Sequence, residues 1–449
     1  MIRNYQILYF LLAASVLSPT AKGSVICDRR EAMQASGTAD PNCTFFVFHE
    51  QFSSMITDSK DGSMLPPIKL LATNNQSIFH EGPVLYQDNL YFTSNRLSKD
   101  GNEPSNLDQY VNIYSYNLQS ANISVIQPTP LSIPMANGMT LSSAGDSILV
   151  LSQGYNDTGS KIYELDPETG TAFVVLQNFT DGTNFNSMND IDISRDGIIF
   201  FTDPQYGFDQ GFRFGSPQRG NGIYRYDSSS GVVTEVFTLR EFRRPNGLAL
   251  YDTRSAEDGT GGCILFVTET GYDTSNDVPA GEGNGVYMLR DTVNGGCFES
   301  SASPNVSYPV VLVEAAGVGI QDGIMIHKES KTLLYCDGAG AWVWSVDSSE
   351  PTAIGMISIP SEGGGCTQLI TRQESDVHTL YLLAETELFA VDLNFLGHGS
   401  TATTTETDNS VSSETPPPPD TDTEEINSSA ASLKPLLGFS IVALWMVVY

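Results

Sequence analysis

The chain has few basic residues for its length. Among its 449 residues, 22 Lys and Arg stand against 53 Asp and Glu, which gives a formal net charge of −31. A charge of this sign and size repels the phosphates of nucleic acids and anionic membrane surfaces. Nucleic-acid binding is therefore excluded as a function. Hydrophobic residues still make up 40% of the sequence, which is enough for a globular core.

Three familiar sequence patterns are also missing. The cysteines show no Cys-x-x-Cys spacing, which disfavours a zinc site or a redox motif. No Gly-x-Ser-x-Gly motif marks a serine nucleophile. Long stretches of helical hydrophobic periodicity are absent, which disfavours α/β folds. The remaining signals are those of a β-rich protein.

Residues 1–23 have the layout of a secretory signal peptide. Arg3 precedes an apolar run over 7–17, and small residues follow up to Gly23. A membrane-spanning helix needs roughly 20 apolar residues, and Ser18 interrupts this run sooner. We expect cleavage near Gly23 and export through the secretory pathway to the cell surface or the extracellular space.

The composition changes sharply near the C-terminal end. Residues 397–427 are mostly Thr, Ser, Glu, Asp and Pro, which is typical of an extended, O-glycosylated stalk. Residues 428–449 combine small residues, a polar spacer and the apolar tail LLGFSIVALWMVVY, and so match a glycosylphosphatidylinositol (GPI) attachment signal, which is removed. A tail-anchor helix is the alternative, but about 14 apolar residues are short for a full span. We expect the lipid to be the only link to the membrane.

Cysteines and glycosylation sequons agree with an exported chain. In an oxidising compartment six cysteines predict three disulfides, and six thiols allow 15 pairings, of which we expect the one that joins sequence neighbours. The cysteines are Cys27, Cys43, Cys263, Cys297, Cys336 and Cys366. Asn-x-Ser/Thr sequons, each a candidate for a surface glycan, lie at Asn42, Asn75, Asn122, Asn156, Asn178, Asn305 and Asn427.

A β-strand unit repeats six times along the chain, at intervals of about 47 to 69 residues. Its most hydrophobic strands are NLYFTSN from Asn89, SILVLSQ from Ser147, GIIFFTDP from Gly197, CILFVTET from Cys263, TLLYCDG from Thr332 and TLYLLAE from Thr379. A short alternating strand precedes each of them and another hydrophobic run follows, so that each unit is a three-stranded meander. Six meanders packed radially bury their faces against one another. We therefore predict an all-β, six-bladed β-propeller over 24–396, in which 24–75 partly closes or caps the ring.

The residues just before the first strand of each unit form a second pattern. In a propeller this strand lies nearest the axis, so these residues gather at one mouth of the channel. They are Glu81, Asn137, Asn189, Asn246, Asp322 and Cys366. Five of the six carry side-chain oxygen, the ligand type of Ca²⁺. We predict a central site for Ca²⁺, or another divalent cation, at Glu81, Asn189, Asn246 and Asp322. Alternatively, Asn before Gly, as at Asn137 and Asn246, simply forms a turn.

Five short motifs, in this order, resemble the gluconolactonase and senescence marker protein (regucalcin-like) family. They are HEGPVLY around Glu81, NSMNDIDIS around Asn189, FTDPQYG around Asp203, RPNGLALY around Asn246 and QDGIMIH around Asp322. The resemblance covers roughly 45–396 and looks strongest to the extracellular, fungal-type lactonohydrolases. It implies that Glu81, Asn246 and Asp322 hold a catalytic divalent metal and that Asn189 contacts metal or substrate. Many members carry an Arg where this chain has Ser187, so the contact of that Arg to sugar hydroxyls is not carried over.

The resemblance implies a Ca²⁺-dependent hydrolase that opens a sugar-type lactone to the hydroxy acid. The cation would polarise the carbonyl while a protein base takes a proton from water. Asp322 is the first choice for that base and His80 the second, although His80 could instead orient Glu81. Asn137, Asn189 and Tyr206 are expected to contact the substrate.

Two other functions stay open at this point. The related diisopropyl fluorophosphatases use a similar Glu, Asn, Asn, Asp set, so a phosphotriesterase-like hydrolase is one alternative. The other is a non-enzymatic, ligand-binding propeller in which Ca²⁺ only joins the blades. In each case we expect a monomer.

Overall fold

The computed structural model describes most of the predicted β-region. The described residues are 26–28, 43–58, 63–65, 68–99, 108–238, 244–254, 261–270, 284–291, 297–298, 310–314, 321–347, 351–360, 365–374 and 377–395. All of them belong to the unit Met1–Thr401. The predicted signal peptide, stalk and GPI signal lie outside the described residues, as do the sequons at Asn42, Asn305 and Asn427. No helix in the described ranges is long and apolar enough to cross a membrane.

The described strands form six antiparallel blades, preceded by a short N-terminal segment. The N-terminal segment contains β1 (Ile26–Asp28), β2 (Phe45–Val47), α1 (Glu50–Met55) and β3 (Lys69–Thr73). Blade 1 contains β4 (Glu81–Tyr86), β5 (Asn89–Thr93), the ribbon of β6 (Leu97–Ser98) and β7 (Gln109–Tyr110), β8 (Ile113–Asn117) and β9 (Ile123–Ile126). Blade 2 contains β10 (Thr129–Pro130), β11 (Ala136–Leu141), β12 (Ile148–Ser152), β13 (Lys161–Leu165) and β14 (Thr171–Leu176).

The remaining four blades follow in chain order. Blade 3 contains β15 (Ile191–Ile193), β16 (Ile199–Asp203), α2 (Tyr206–Asp209), β17 (Gly222–Asp227) and β18 (Val232–Thr238). Blade 4 contains β19 (Pro245–Asp252), β20 (Cys263–Thr270), β21 (Asn284–Arg290) and β22 (Val310–Glu314). Blade 5 contains β23 (Ile324–His327), β24 (Thr332–Asp337), β25 (Gly340–Ser345) and β26 (Thr352–Ser358). Blade 6 contains β27 (Gln368–Glu374), β28 (Val377–Ala384) and β29 (Glu387–Leu393).

The first strand of each blade lies next to the axis. It contacts the first strand of both neighbouring blades, and the cycle closes from β27 back to β4. The predicted six-bladed propeller is therefore confirmed. Each blade also has a fourth, outer strand that the three-stranded sequence unit missed. In blade 1 the outer strand β9 has a weak hydrophobic pattern, with no fully buried residue.

The alternation within each second strand explains how the blades pack. In β16, Ile199 and Phe201 belong to the hydrophobic cluster shared with blade 2. Phe200 points the other way, into the cluster shared with blade 4. Because successive side chains of a strand face opposite sides of the sheet, a strand buried on both faces is a continuous hydrophobic run. One such cluster lies between every pair of neighbouring blades.

The N-terminal segment contributes strands to the last two blades. Strand β3 pairs antiparallel with β29 and so supplies the outer strand of blade 6. Strand β2 pairs with β26 at the edge of blade 5, and Phe52 of α1 packs into the cluster between these two blades. The N-terminal strands thereby cover edges of two separate sheets, those of blades 5 and 6, that would otherwise be open.

Two disulfides join the sequence neighbours that the cysteine spacing predicts. Cys263 pairs with Cys297 in blade 4, and Cys336 pairs with Cys366 between blades 5 and 6. Cys43 is also disulfide-bonded. The side chain of Cys27, its predicted partner, lies outside the described part.

Four of the predicted sequons lie on described residues. Asn75 and Asn122 are exposed, as a glycan requires. Asn156 and Asn178 are only partly exposed, and the amide of Asn178 donates to Asn184 Oδ1 at 2.9 Å. The expectation that every sequon faces water is therefore too broad for these two positions, since their side chains pack against neighbouring loops.

Candidate metal centre and active site

One cavity of about 390 Å³ collects all seven residues that the sequence predicts for the site. They are His80, Glu81, Asn137, Asn189, Tyr206, Asn246 and Asp322. The asparagines and carboxylates stand at or just before the start of the first strands, where the blades converge on the axis. We call this space the mouth cavity.

Two carboxylates meet inside the mouth cavity. Glu81 is buried and Asp322 is partly buried, and the two carboxyl groups interact directly. Burial raises the pKa of Glu81 well above its usual range, and the charge of Asp322 raises it further. Burial also raises the pKa of Asp322. Two carboxylates this close can both be ionised only beside a compensating positive charge.

Two buried amide oxygens accompany these carboxylates. The Nδ2 of Asn246 donates a hydrogen bond to Asp322 Oδ1 at 2.8 Å. This bond does not use the Oδ1 of Asn246. Neither Asn246 Oδ1 nor Asn189 Oδ1 has a hydrogen-bond partner, although both atoms are buried. Both oxygens belong to residues that line the mouth cavity, so both are available to a ligand there.

The combined oxygen set fits a hard divalent cation. Carboxylate and amide oxygens are ligands of Ca²⁺, whereas Zn²⁺ favours nitrogen and sulfur. The described ranges contain no group of three or more His, Cys, Asp or Glu with metal-binding geometry. A cation at this place would therefore depend on the amides of Asn189 and Asn246 as well as on the two carboxylates.

Close approach between blades explains the glycine that follows most of these residues. A Cβ on Gly247 would lie 2.5 Å from the carbonyl oxygen of Asp322, and one on Gly82 would lie 2.6 Å from that of Asn137. Each glycine thus lets one blade reach the backbone of the next. The alternative interpretation of Asn-Gly as a turn is wrong at Asn246, since this residue lies within β19.

Blade 3 has Asp190 where blades 1, 2, 4 and 5 have this glycine. Its Oδ2 accepts a hydrogen bond from Leu248 N in blade 4 at 2.8 Å. Burial raises the pKa of Asp190 to about 7, and this backbone hydrogen bond partly offsets that effect. Asp190 also lines a second cavity of about 220 Å³ further along the channel. Its carboxylate therefore joins two blades below the mouth cavity.

The register of the first strands is irregular directly after the site residues. In blade 1 the pairing shifts between Glu81 and Val84, and in blade 4 it shifts between Pro245 and Leu248. Such bulges redirect a side chain relative to the regular pleat. They explain how Glu81 and Asn246 turn toward the axis from strands whose later residues pack between blades.

His80 belongs to a charged pair at the edge of the mouth cavity. Its Nδ1 lies 2.9 Å from Glu385 Oε1, and Asn95 Nδ2 donates to the same oxygen at 3.0 Å. Burial lowers the pKa of His80, but the Glu385 carboxylate outweighs burial and the net pKa is raised. Although burial opposes it, the pKa of Glu385 is lowered by His80. Glu385 therefore orients the His80 ring and stabilises the imidazolium that forms when the ring accepts a proton.

The two other residues predicted to contact substrate, Tyr206 and Asn137, come from neighbouring blades and both line the mouth cavity. Tyr206 begins α2, and its hydroxyl lies 2.5 Å from Thr270 Oγ1. Asn137 is buried, and its Oδ1 accepts from Gly138 N at 3.1 Å. Both line the cavity, but neither contacts Glu81 or Asp322 in the described hydrogen bonds.

Asp203 and Ser187 position the loop that carries Asn189. Asp203 is fully buried and accepts hydrogen bonds from the backbone of Asn186 and Ser187 at 2.9 and 2.8 Å. Ser187 Oγ accepts from Gly207 N at 2.8 Å. The serine that stands in place of the family's Arg therefore ties this loop to α2 and does not line the mouth cavity.

Several residues of the mouth cavity were missed by the repeat. They include Asn95, Arg96, Gln153, Arg244, Thr270 and Glu385. Most of them follow or end the second strand of a blade, as Glu385 follows β28. The position at the end of the second strand, compared through all six copies of the repeat, predicts Asn95, Gln153, Thr270 and Glu385.

Sequence comparisons place the chain among lactone hydrolases. No protein-family model matches it. It is 30% identical to a gluconolactonase of Zymomonas mobilis over 298 residues, which cover 65% of this chain and 72% of that protein. It is 38% identical to a lactonohydrolase of Aspergillus oryzae over 111 residues, which cover 24% of this chain but only 23% of that protein.

A comparison of folds agrees with this placement. A gluconolactonase structure from Xanthomonas campestris has a TM-score of 0.56 and 17% identity, and the match covers 78% of this chain and 95% of that one. At this identity the likeness bears on the fold alone. Fold and oxygen-lined centre together define a propeller of the gluconolactonase and senescence marker protein class. The extent of the match to the Zymomonas protein shows that the chain belongs to the gluconolactonase family.

Proposed function

We propose that this protein is a Ca²⁺-dependent lactonase that opens a sugar-type lactone to the corresponding hydroxy acid. One observation carries the proposal: two neighbouring carboxylates and two partnerless amide oxygens converge in the mouth cavity of a gluconolactonase-family propeller. The relatives named above are a gluconolactonase and a lactonohydrolase, which supports lactone hydrolysis as the reaction class.

The cation would be held by Glu81, Asn189, Asn246 and Asp322. When bound, Ca²⁺ supplies a Lewis acid for the lactone carbonyl oxygen. The two carboxylates would balance its charge, and the cation would offset the burial and the charge of Asp322 that raise the pKa of Glu81. The Nδ2 of Asn246 holds Asp322 Oδ1 and thereby sets the direction of both side chains.

His80 is the base that we assign to the attacking water. Because its Nδ1 is engaged by Glu385, its Nε2 is the nitrogen that can accept a proton, and Glu385 stabilises the imidazolium that forms. The water oxygen bonds to the carbonyl carbon, the ring C–O bond breaks, and the leaving oxygen takes up a proton. Asp322 is the alternative base, but its role as ligand and its bond from Asn246 support His80 instead.

The lining of the mouth cavity supports a substrate with several hydroxyl groups. Asn95, Arg96, Gln153, Gln210 and Arg244 border the same space. Amide and guanidinium groups donate hydrogen bonds to hydroxyl and ring oxygens. The hydroxyl groups of a sugar lactone could bind such side chains, whereas a long acyl chain could not.

Lactone turnover with and without Ca²⁺ tests the proposal. We expect the purified protein to hydrolyse aldonolactones in CaCl₂ and to lose this activity in EDTA, while circular dichroism still reports a folded β-protein. Turnover of phosphotriesters in place of lactones would support the phosphotriesterase alternative. Unfolding on addition of EDTA, without lactone turnover in CaCl₂, would indicate a Ca²⁺ that only joins the blades.

We also propose that the protein acts at the cell surface as a GPI-linked monomer. The two described disulfides support passage through an oxidising compartment, and the composition of 397–449 supports a stalk and a lipid attachment signal. Release from intact cells by a phosphatidylinositol-specific phospholipase would support this location. Retention in the membrane after that treatment would contradict it.

A further inference from the structure

A buried threonine in β16 connects blade 3 to the metal ligand of blade 4. Thr202 is fully buried. Its hydroxyl accepts a hydrogen bond from Asp190 N, directly after Asn189, at 3.0 Å. The same hydroxyl donates to the carbonyl oxygen of Asn246 at 2.8 Å. One side chain thus ties the backbones of two successive ligands together.

A second threonine repeats this arrangement one blade further on. Thr268 in β20 is also fully buried. Its hydroxyl accepts from Gly247 N, directly after Asn246, at 2.7 Å and donates to the carbonyl oxygen of Asp322 at 2.5 Å. The two threonines therefore link Asn189 to Asn246 and Asn246 to Asp322 through the same pair of hydrogen bonds.

Blades 1 and 5 have related contacts at the position that Thr202 and Thr268 occupy in blades 3 and 4. In blade 1, Thr93 lies with its hydroxyl 3.2 Å from the carbonyl oxygen of Asn137. In blade 5 the corresponding position is Cys336, whose backbone carbonyl accepts from Asp322 N at 3.0 Å. Cys336 forms a disulfide with Cys366, which precedes the first strand of blade 6 as Asp322 precedes that of blade 5. The disulfide is thus a covalent counterpart of the threonine link.

We propose that Thr202 and Thr268 are positioning residues, each of which sets the place of the next blade's cation ligand. This inference rests on the proposed Ca²⁺ site. A β-branched side chain has few rotamers, so a threonine with both hydrogen bonds made holds the two backbones at a fixed separation. Oxygen ligands of Ca²⁺ lie within a range of about 2.3 to 2.6 Å, so small shifts between blades change the site.

The test replaces each hydroxyl by a methyl group of the same shape. Thr202→Val and Thr268→Val are compared with Thr202→Ser and Thr268→Ser, which keep the hydroxyl. Thr332→Val is the matched control, because Thr332 is equally buried but lies at the other end of β24, bonded to Ser330. CaCl₂ affinity is measured by calorimetry, the melting temperature by circular dichroism, and kcat and KM with an aldonolactone.

We expect each valine variant at the two linking positions to bind Ca²⁺ roughly 10-fold to 100-fold more weakly than wild type. The serine variants should recover most of that affinity, and Thr332→Val should keep it while losing similar thermal stability. Should Thr268→Val fail to fold, Thr202→Val tests the equivalent link between blades 3 and 4. Equal Ca²⁺ affinity in the linking and control valine variants, or no recovery with serine, would overturn the inference.

The wild-type measurements separate this inference from the proposed function. A wild-type protein that binds Ca²⁺ but hydrolyses no lactone refutes the lactonase proposal, while calorimetry on the variants still decides the role of the threonines. If the wild type hydrolyses lactones, but the linking and control variants bind Ca²⁺ equally well, the positioning role alone is refuted. Absence of Ca²⁺ binding in the wild type refutes both.

Discussion

Replacing Gly247 with Ala should disable the cation site while the propeller stays folded. The new Cβ would lie 2.5 Å from the carbonyl oxygen of Asp322 and 2.9 Å from Thr268 Oγ1. The φ angle of Gly247 is outside the left-handed region, so alanine can adopt this backbone. The substitution therefore acts through these close contacts and not through backbone strain.

The size of the displacement follows from these distances. Ordinary van der Waals contact begins at 3.4 Å, so the carbonyl of Asp322 has to retreat by about 0.9 Å. A shift of this size exceeds the spread of Ca²⁺–oxygen distances, which is about 0.3 Å. Misplacement by about 1 Å can cost roughly 100-fold in rate, and overpacking typically costs about 1–3 kcal/mol of unfolding free energy. For Gly247→Ala we expect a loss of catalytic rate and a loss of unfolding free energy of these sizes.

Calorimetric titration with CaCl₂, lactone kinetics and urea unfolding would measure the three effects. Gly220→Ala is the matched control, since a Cβ at Gly220 meets nothing within 4 Å. The control should behave as wild type in all three assays. Normal Ca²⁺ affinity and kcat in Gly247→Ala would refute the reasoning, because it would mean that the backbone of Asp322 is free to move without consequence for the site.

Three further predictions follow from other parts of the molecule. His80→Gln should lower kcat by roughly 100-fold to 10,000-fold, as loss of a general base does, and an unchanged kcat would return that role to Asp322. Burial and His378 lower the pKa of His327 from 6.5 to about 4. The folded state therefore favours the neutral imidazole, which has to take up a proton as the pH falls. Urea unfolding should show the free energy of unfolding falling by up to roughly 3 kcal/mol from pH 6.5 to 4, and falling less in His327→Gln. Replacing Cys336 and Cys366 together by Ala should cost roughly 2–5 kcal/mol and also weaken Ca²⁺ binding, whereas loss of the blade 4 disulfide, which closes a loop of similar length, should leave Ca²⁺ affinity unchanged.

Local pattern was sufficient to predict the fold and the residues that converge. Strands such as β16, with Phe200 facing one neighbour and Phe201 the other, are hydrophobic without interruption because both faces are buried. Six copies of that pattern leave a closed ring as the arrangement that buries every face. In such a ring, the residue just before each first strand lies near the axis, and this position predicts that Glu81 and Asp322 converge.

The contacts between blades could be decided only by the tertiary structure. Glu385 reaches His80 from the far end of the chain, and Thr268 reaches Asp322 from the neighbouring blade. Their sequence separations of 305 and 54 residues carry no local signal, because spacing along a strand determines which face a side chain takes but not how closely two twisted sheets approach. The distance between neighbouring sheets depends on closure of the whole ring. The hydrogen-bond partners of the oxygen atoms at the centre depend on it as well.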